Sequence, residues 1–168
     1  MPLLEIDDVS VHYDVEGGTV YAVEDVSLAI ERGETFGLVG ESGSGKSTLG
    51  KAILRLLDEN GSVAGGEIRF KDRDLTDLTP AEIRAVRWAE ISTVPQGSMS
   101  GLNPVYKVGD QIVEAILHHE PETSTEAAAE RAEDLLERVG VDATRANDYA
   151  HQFSGGMKQR AMIAMALA

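Results

Sequence analysis

The stretch Gly40-Glu41-Ser42-Gly43-Ser44-Gly45-Lys46-Ser47-Thr48 constrains the fold of this chain more than any other. It has the form G-x-x-x-x-G-K-[ST], which carries meaning when it lies between a strand and a helix. The apolar run Thr35 to Val39 before it predicts a short buried strand. The run Leu49 to Leu57 after it places Leu49, Ile53, Leu56 and Leu57 at helical spacing. A helix start offers unpaired N–H groups and a positive dipole end, both suited to polyphosphate. Gly40, Gly43 and Gly45 allow a tight turn with those N–H groups pointing inward. Lys46 supplies a mobile charge for the β- and γ-phosphates. The Ser47 hydroxyl is placed to ligate Mg²⁺, and the Thr48 hydroxyl lies toward the α-phosphate. A solvated Gly/Ser turn that happens to carry lysine is the plain alternative, and it leaves the flanking patterns unexplained.

Composition narrows the class. The 168 residues suit about one domain, and 42% hydrophobic content is enough for a core. The absence of cysteine excludes disulfides, cysteine–zinc sites and thiol catalysis. The start MPLLEIDDVS lacks a basic, then apolar, leader, and no apolar run approaches the roughly 20 residues that span a bilayer. A soluble chain is therefore expected, with any membrane role acting through a partner. The formal net charge of −14, from 29 acidic and 15 basic residues, argues against nucleic acid as a partner. A lysine-poor acidic surface tolerates high salt, where self-repulsion is screened, so a halophilic source is one expectation and an ordinary acidic cytosolic protein the other.

Taken in order, Leu3 to Val11 and Val20 to Ile30 predict strands joined at Gly17-Gly18. Tyr13 lies between them. An aromatic there can stack on a purine, although strand aromatics in a core are the commoner case. Asp58 to Gly66 reads as a polar, Gly-rich loop, Glu67 to Phe70 as a short strand and Ile91 to Val94 as another, ending at Pro95-Gln96-Gly97. Thr79-Pro80-Ala81-Glu82 predicts a helix start with a capping box. Beyond Gln96 the pattern turns helical. Ser98 to Val105 is a loop and Lys107 to His119 a helix. Thr123-Ser124-Thr125-Glu126 predicts a second capping box, opening a helix that passes Leu135, Leu136 and Val139 and stops at Gly140. His12, His118, His119 and His151 show no metal-ligand spacing and read as solvated or capping histidines. The last signal is Phe153-Ser154-Gly155-Gly156-Met157-Lys158-Gln159-Arg160 before AMIAMALA: Ser154 is an N-cap type, and two glycines permit close approach of a phosphate to the helix start.

Together these residues resemble the ATP-binding subunits of ABC transporters, over the whole sequence. The resemblance implies an α/β fold, a P-loop NTPase core with a helical subdomain, divided as residues 1–97 (antiparallel strands and phosphate loop) and 98–168 (helical, ending in the signature helix). The phosphate loop is similar to the family's Walker A. Gln96 falls at its Q-loop glutamine, which implies a role in binding Mg²⁺ and positioning the attacking water. Tyr13 matches its adenine-stacking aromatic. Ser154, Gly155, Gly156, Met157 and Lys158 resemble its LSGGQ signature, with Phe and Met in place of Leu and Gln. GESGSGKST, the Ser100-Gly101-Leu102-Asn103-Pro104 segment and HQFSGGMKQRAMIAMALA are similar to the oligopeptide, dipeptide and nickel importer branch.

By resemblance, two such domains sandwich two ATP molecules, each held by Walker A of one protomer and Ser154, Gly155 and Gly156 of the other. The implied cofactors are ATP and Mg²⁺. The implied partners are transmembrane permease subunits, a second identical or homologous ATP-binding subunit and, indirectly, an external solute-binding protein, with no nucleic acid. The implied location is peripheral, on the cytoplasmic face of the membrane. The sequence stops at Ala168, before the family's Walker B Asp-Glu strand and its switch histidine. The expectation is therefore slow turnover by these 168 residues alone, an open edge beside the phosphate-loop strand and an AMIAMALA tail deprived of packing. A catalytically incompetent nucleotide-binding module is the alternative reading. A soluble ABC ATPase of DNA repair or translation, or a GTPase or kinase with the same loop, fits the motifs less well.

Overall fold

A computed structural model describes residues 1–95, 97 and 100–168. The chain divides into two compact units, Met1–Arg87 and Trp88–Ala168.

The first unit is built on an antiparallel sheet. Strands β1 (Leu4–Val15), β2 (Gly18–Ile30), β3 (Gly61–Phe70) and β4 (Arg73–Asp74) lie in the order β2-β1-β3-β4. β1 is central, pairing Leu4 with Ile30 and Tyr13 with Val20 on one side, and Leu4 with Phe70 and Tyr13 with Gly61 on the other. Ile6, Val9, Val11 and Ile68 are fully buried, and Val9 and Val11 join the face of Ile6 because the register shifts between Ile6 and Val9, where Asp8 adopts φ +48°. Helix α1 (Lys46–Ile53) buries Leu49 and Ala52. Helix α2 (Pro80–Val86) opens with the expected capping box: Thr79 Oγ1 accepts from Glu82 N–H, and the Glu82 carboxylate accepts from Thr79 N–H at 2.7 Å.

Three expectations fail in this unit. Residues 61–66, read as loop from their glycines, form the first half of β3. Their glycines serve the pairing: Gly66 sits at φ +80°, and a side chain there would strike the Asp7 and Asp8 carbonyls, where the β1–β3 register shifts. The loop helix ends at Ile53. Leu54 is buried in place of Leu56, which is 43% exposed, because the chain turns at Arg55, φ +50°. Thr35 to Val39 forms no strand, and Val39 is 92% exposed. A strand is stabilised by a hydrogen-bonded neighbour, and this run has none among the described residues.

The second unit is helical: α3 (Val108–His119), α4 (Thr125–Arg138), two short 3₁₀ turns (Ala143–Asn147 and Ala150–Gln152) and α5 (Gly155–Ala166). Ile112, Ile116, Leu135, Leu136, Ala161 and Ala164 share one buried cluster. Ile91 to Val94, expected as a strand, forms no ladder among the described residues, and 92–94 are exposed. The predicted second capping box is replaced by a simple cap one residue later: Ser124 accepts from Ala127 N–H at 3.2 Å, and position N3 holds no carboxylate. α4 stops as expected, with Gly140 at φ +74°. The AMIAMALA tail is better packed than expected. Ala161 and Ala164 are buried and Met162 and Met165 pack on the cluster, which leaves Ile163 and Leu167 outward.

Candidate functional site

The phosphate loop takes the shape its glycines permit. Gly43 and Gly45 adopt φ of +84° and +85°, the left-handed region that favours glycine. Gly45 is doubly constrained, since a side chain would lie 2.4 Å from the Ala22 carbonyl and 3.1 Å from the Val23 methyl. Ala22 is the extra residue of a β2 bulge: β1 pairs Val11 with Val23 and then His12 with Tyr21. The bulge brings a backbone oxygen against the loop, so the hairpin shapes the site. At Gly40 a side chain would meet Ser44 Oγ at 2.7 Å.

Gly45 is the N-cap of α1, and no side chain caps that end. The first helical bond runs from Leu49 N–H to Gly45 O at 2.8 Å, so the N–H groups ahead of it lie outside the helical ladder. Lys46 reaches back across the loop, donating to the Gly40 carbonyl at 2.9 Å, to the Glu41 carbonyl and to Ser44 Oγ at 3.1 Å. A positive charge is thus held against loop oxygens beside a helix start whose N–H groups no side chain caps, an arrangement that attracts a polyanion. The loop borders a hollow of about 100 Å³ whose apolar lining is Val23, Val26, Leu38, Val39 and Leu49. A larger cleft, about 520 Å³, lies away from the loop between Arg55, Asp77 and Gly61–Gly66 of β3. Chemistry favours the smaller hollow for phosphate, because it holds Lys46 and the helix start.

Among the described residues the Ser47 hydroxyl has no hydrogen-bond partner and is exposed, so its oxygen suits a hard cation such as Mg²⁺. No cluster of three or more His, Asp or Glu side chains suited to a metal occurs among the described residues. Gln96, the other expected metal and water-positioning residue, lies outside the described residues. Ser42 is exposed in the turn, and Thr48 is half-buried in the first turn of α1.

Tyr13 is half-buried. It shares a sheet face with Val11, whose partner Val23 packs beside Gly45, so the aromatic ring stands on the face that meets the loop. His12 points to the other face, edge-on to Tyr21 and 3.2 Å from a Glu24 oxygen.

In the second unit Ser154 caps α5, accepting from Met157 N–H at 3.3 Å. Ser154, Gly155 and Gly156 are exposed together, and a methyl on Gly156 would meet nothing within 4 Å. Met157 packs on the buried cluster, and Lys158 is half-buried. Two supporting residues escaped the sequence reading. Arg160 donates to the Gly140 carbonyl at 2.6 Å, tying α5 to the end of α4. Gln111 accepts from Asn103 N–H at 2.8 Å and donates to the carbonyls of Asn103, Tyr106 and Lys107, fixing the loop before α3. Arg160 carries no local signal, since it acts on backbone of another helix, whereas Gln111 acts on the turn directly ahead of its own helix.

Comparison with known proteins agrees with this geometry. A family model described as ABC transporter matches residues 23–168. The chain is 46% identical to the oligopeptide transport ATP-binding protein OppD of Bacillus subtilis, over 99% of this chain and 47% of that protein. It is 43% identical to the dipeptide transport ATP-binding protein DppD of Lactococcus lactis subsp. cremoris, over 99% of this chain and 48% of that protein. The chain spans about half the length of the curated relatives it matches. Among solved structures, the dimeric ATP-binding cassette MJ0796 bound to ADP and Pi superposes with a TM-score of 0.85 at 30% identity, over 98% of this chain and 69% of that one. CbiO1 from Clostridium perfringens shares the fold, with a TM-score of 0.78 at 22% identity over 99% of this chain and 61% of that one.

Proposed function

Because this chain belongs to the ABC transporter family, with the α/β P-loop NTPase fold of its cassettes, we propose that it is the ATP-binding part of an importer. In the whole protein, ATP binding and hydrolysis drive uptake of oligopeptides, dipeptides or nickel. The observation that carries the reading is the loop: Lys46 drawn over a turn whose Gly43 and Gly45 adopt left-handed conformations, at an uncapped helix start.

The residues take the following roles. Lys46 and the loop N–H groups of residues 43–48 hold the β- and γ-phosphates, and Tyr13 stacks on the adenine. Ser47 ligates Mg²⁺ together with Gln96, and Mg²⁺ when bound neutralises charge that develops on the transferred phosphoryl group. Ser154, Gly155 and Gly156 present an open helix start to an ATP on a second ATP-binding subunit, and Met157 and Lys158 hold that start in place. Residues 1–97 act as the nucleotide-binding core and 98–168 as the helical subdomain. The loop fixed by Gln111 exposes Val105 and Tyr106, 71% and 57% accessible, as the surface that meets the permease subunits at the cytoplasmic face of the membrane. No helix among the described residues is long and apolar enough to cross a membrane. A salt-rich habitat is part of the proposal and rests on the net charge of −14.

The test is deletion of the gene, followed by uptake assays with labelled dipeptide, oligopeptide and nickel. Loss of one of these, restored by the intact gene and not by a Lys46→Ala copy, supports the reading and names the cargo. Unchanged uptake of all three removes the transport assignment.

A further inference from the structure

Tyr13 does not stand upright on its strand. It lies directly opposite Gly61 in the β1–β3 ladder, with Val20 opposite it on the β2 side. Directly opposed residues of an antiparallel pair project from the same face, with Cβ positions about 5 Å apart. A methyl on Gly61 would sit 2.6 Å from Tyr13 Cε1, 2.9 Å from Cδ1 and 3.1 Å from Cζ. Three consecutive ring atoms therefore fill the space that a side chain at Gly61 would need. The ring leans across β3, and the bare Cα of Gly61 is its floor. Aromatic cover of a glycine on a neighbouring strand is a known way to fix both.

Gly61 differs from the other crowded glycines of this unit. At Gly45 and Gly66 an added side chain meets backbone oxygens at 2.4 Å, so the main chain would have to move. At Gly61 the obstacle is the ring itself, and its φ is not in the left-handed region. A side chain there leaves the strand in place and rotates Tyr13 away. Gly61 also begins β3 with its own N–H bonded to the Asp58 carbonyl at 2.8 Å, which anchors the floor independently of the ring.

We propose that Gly61 is a positioning residue for base recognition: it sets the tilt of the Tyr13 ring, and the pair controls affinity for the purine without affecting the phosphates. The proposal rests on Tyr13 being the base-stacking residue. Stacking on an aromatic contributes about 1–3 kcal/mol per base, or roughly 5- to 150-fold in affinity, so a mis-tilted ring loses part of that range.

The experiment measures binding of ATP and of inorganic tripolyphosphate to the full chain by calorimetry, in four variants. Tyr13→Ala weakens ATP about tenfold and leaves tripolyphosphate unchanged. Gly61→Val weakens ATP about fivefold, again with tripolyphosphate unchanged, and Gly61→Ala does so more mildly. Gly65→Ala, on the same strand with nothing within 4 Å of the added methyl, matches the parent chain. If Tyr13→Ala is selective for ATP but both Gly61 variants behave as the parent, the role of Gly61 is overturned while that of Tyr13 stands. If Tyr13→Ala leaves ATP binding unchanged, the base-stacking reading falls and the Gly61 role with it. If the Gly61 variants weaken both ligands equally, Gly61 is structural only. Gly61→Ala serves where the valine variant does not fold.

Discussion

Two glycine- and serine-rich helix starts occur in this protein, and they are built differently. α1 begins at Gly45, left-handed at φ +85°, with no side chain on its first N–H groups and a lysine folded over the turn. α5 begins at Ser154, extended at φ −66°, with its hydroxyl already accepting from Met157 N–H. The first start leaves its donors to an outside anion and adds charge. The second satisfies part of its own need and offers an open surface, with clear space at Gly156. Similar composition therefore gives two structures: a turn with uncapped donors and a lysine folded over it, and a capped helix end with clear space at its second glycine.

The largest way to break the comparison is Lys46→Ala, which removes the charge from one start and has no counterpart at the other. ATP affinity should fall roughly a hundredfold by isothermal titration calorimetry, and an unchanged affinity would show that the loop does not hold the nucleotide. Next is Gly45→Ala. Left-handed strain and the collision with the Ala22 carbonyl together should lower unfolding stability by about 2–4 kcal/mol in urea titrations and weaken nucleotide binding by less than Lys46→Ala does. At the other helix start, Ser154→Ala should cost about 1 kcal/mol through loss of the cap. Gly156→Ala should instead stabilise by up to about 1 kcal/mol, since alanine is the better helix former and the space is open. Both should leave the chain's own ATP affinity unchanged and, if the proposed role holds, slow hydrolysis by the whole protein. A shift in affinity at the loop would show that the two starts are not independent.

The smallest effect concerns a third helix start, that of α2. Hydrogen bonds from the Thr79 hydroxyl, then from its N–H, hold the Glu82 carboxyl below its ordinary range. A depressed folded value contributes stability that is present above the unfolded carboxylate range and is lost as pH falls through the folded value. Thr79→Ala should therefore flatten the acid limb of the urea midpoint against pH. Ser154→Ala should not, because Met157 occupies the position where α2 has Glu82.

Local devices were legible in the residues. The capping box at Thr79–Glu82, the stop at Gly140, the Ser154 cap and the need for glycine at positions 43 and 45 are short-range effects, and each could be read within about four residues. The strands were harder. Residues 61–66 look like a loop until β1 is placed beside them, and their glycines then explain a bulge and an aromatic neighbour. Thr35 to Val39 has the composition of a strand and forms none among the described residues, since composition does not supply a partner. A helix closes its hydrogen bonds within its own segment, whereas a strand closes them with another segment.

By itself, then, the sequence determined the glycine-demanding turn at residues 40–48, the family and the helical character of the second half, because motif spacing and helix signals are local. Only the tertiary structure decided that Ala22 presses on Gly45, that Gly61 lies under Tyr13, that Gln111 pins the loop before α3 and that Met157 faces the core. The Ala22–Gly45 and Gly61–Tyr13 contacts join residues distant in the chain, and all four are settled by strand register and side-chain packing rather than by residue type.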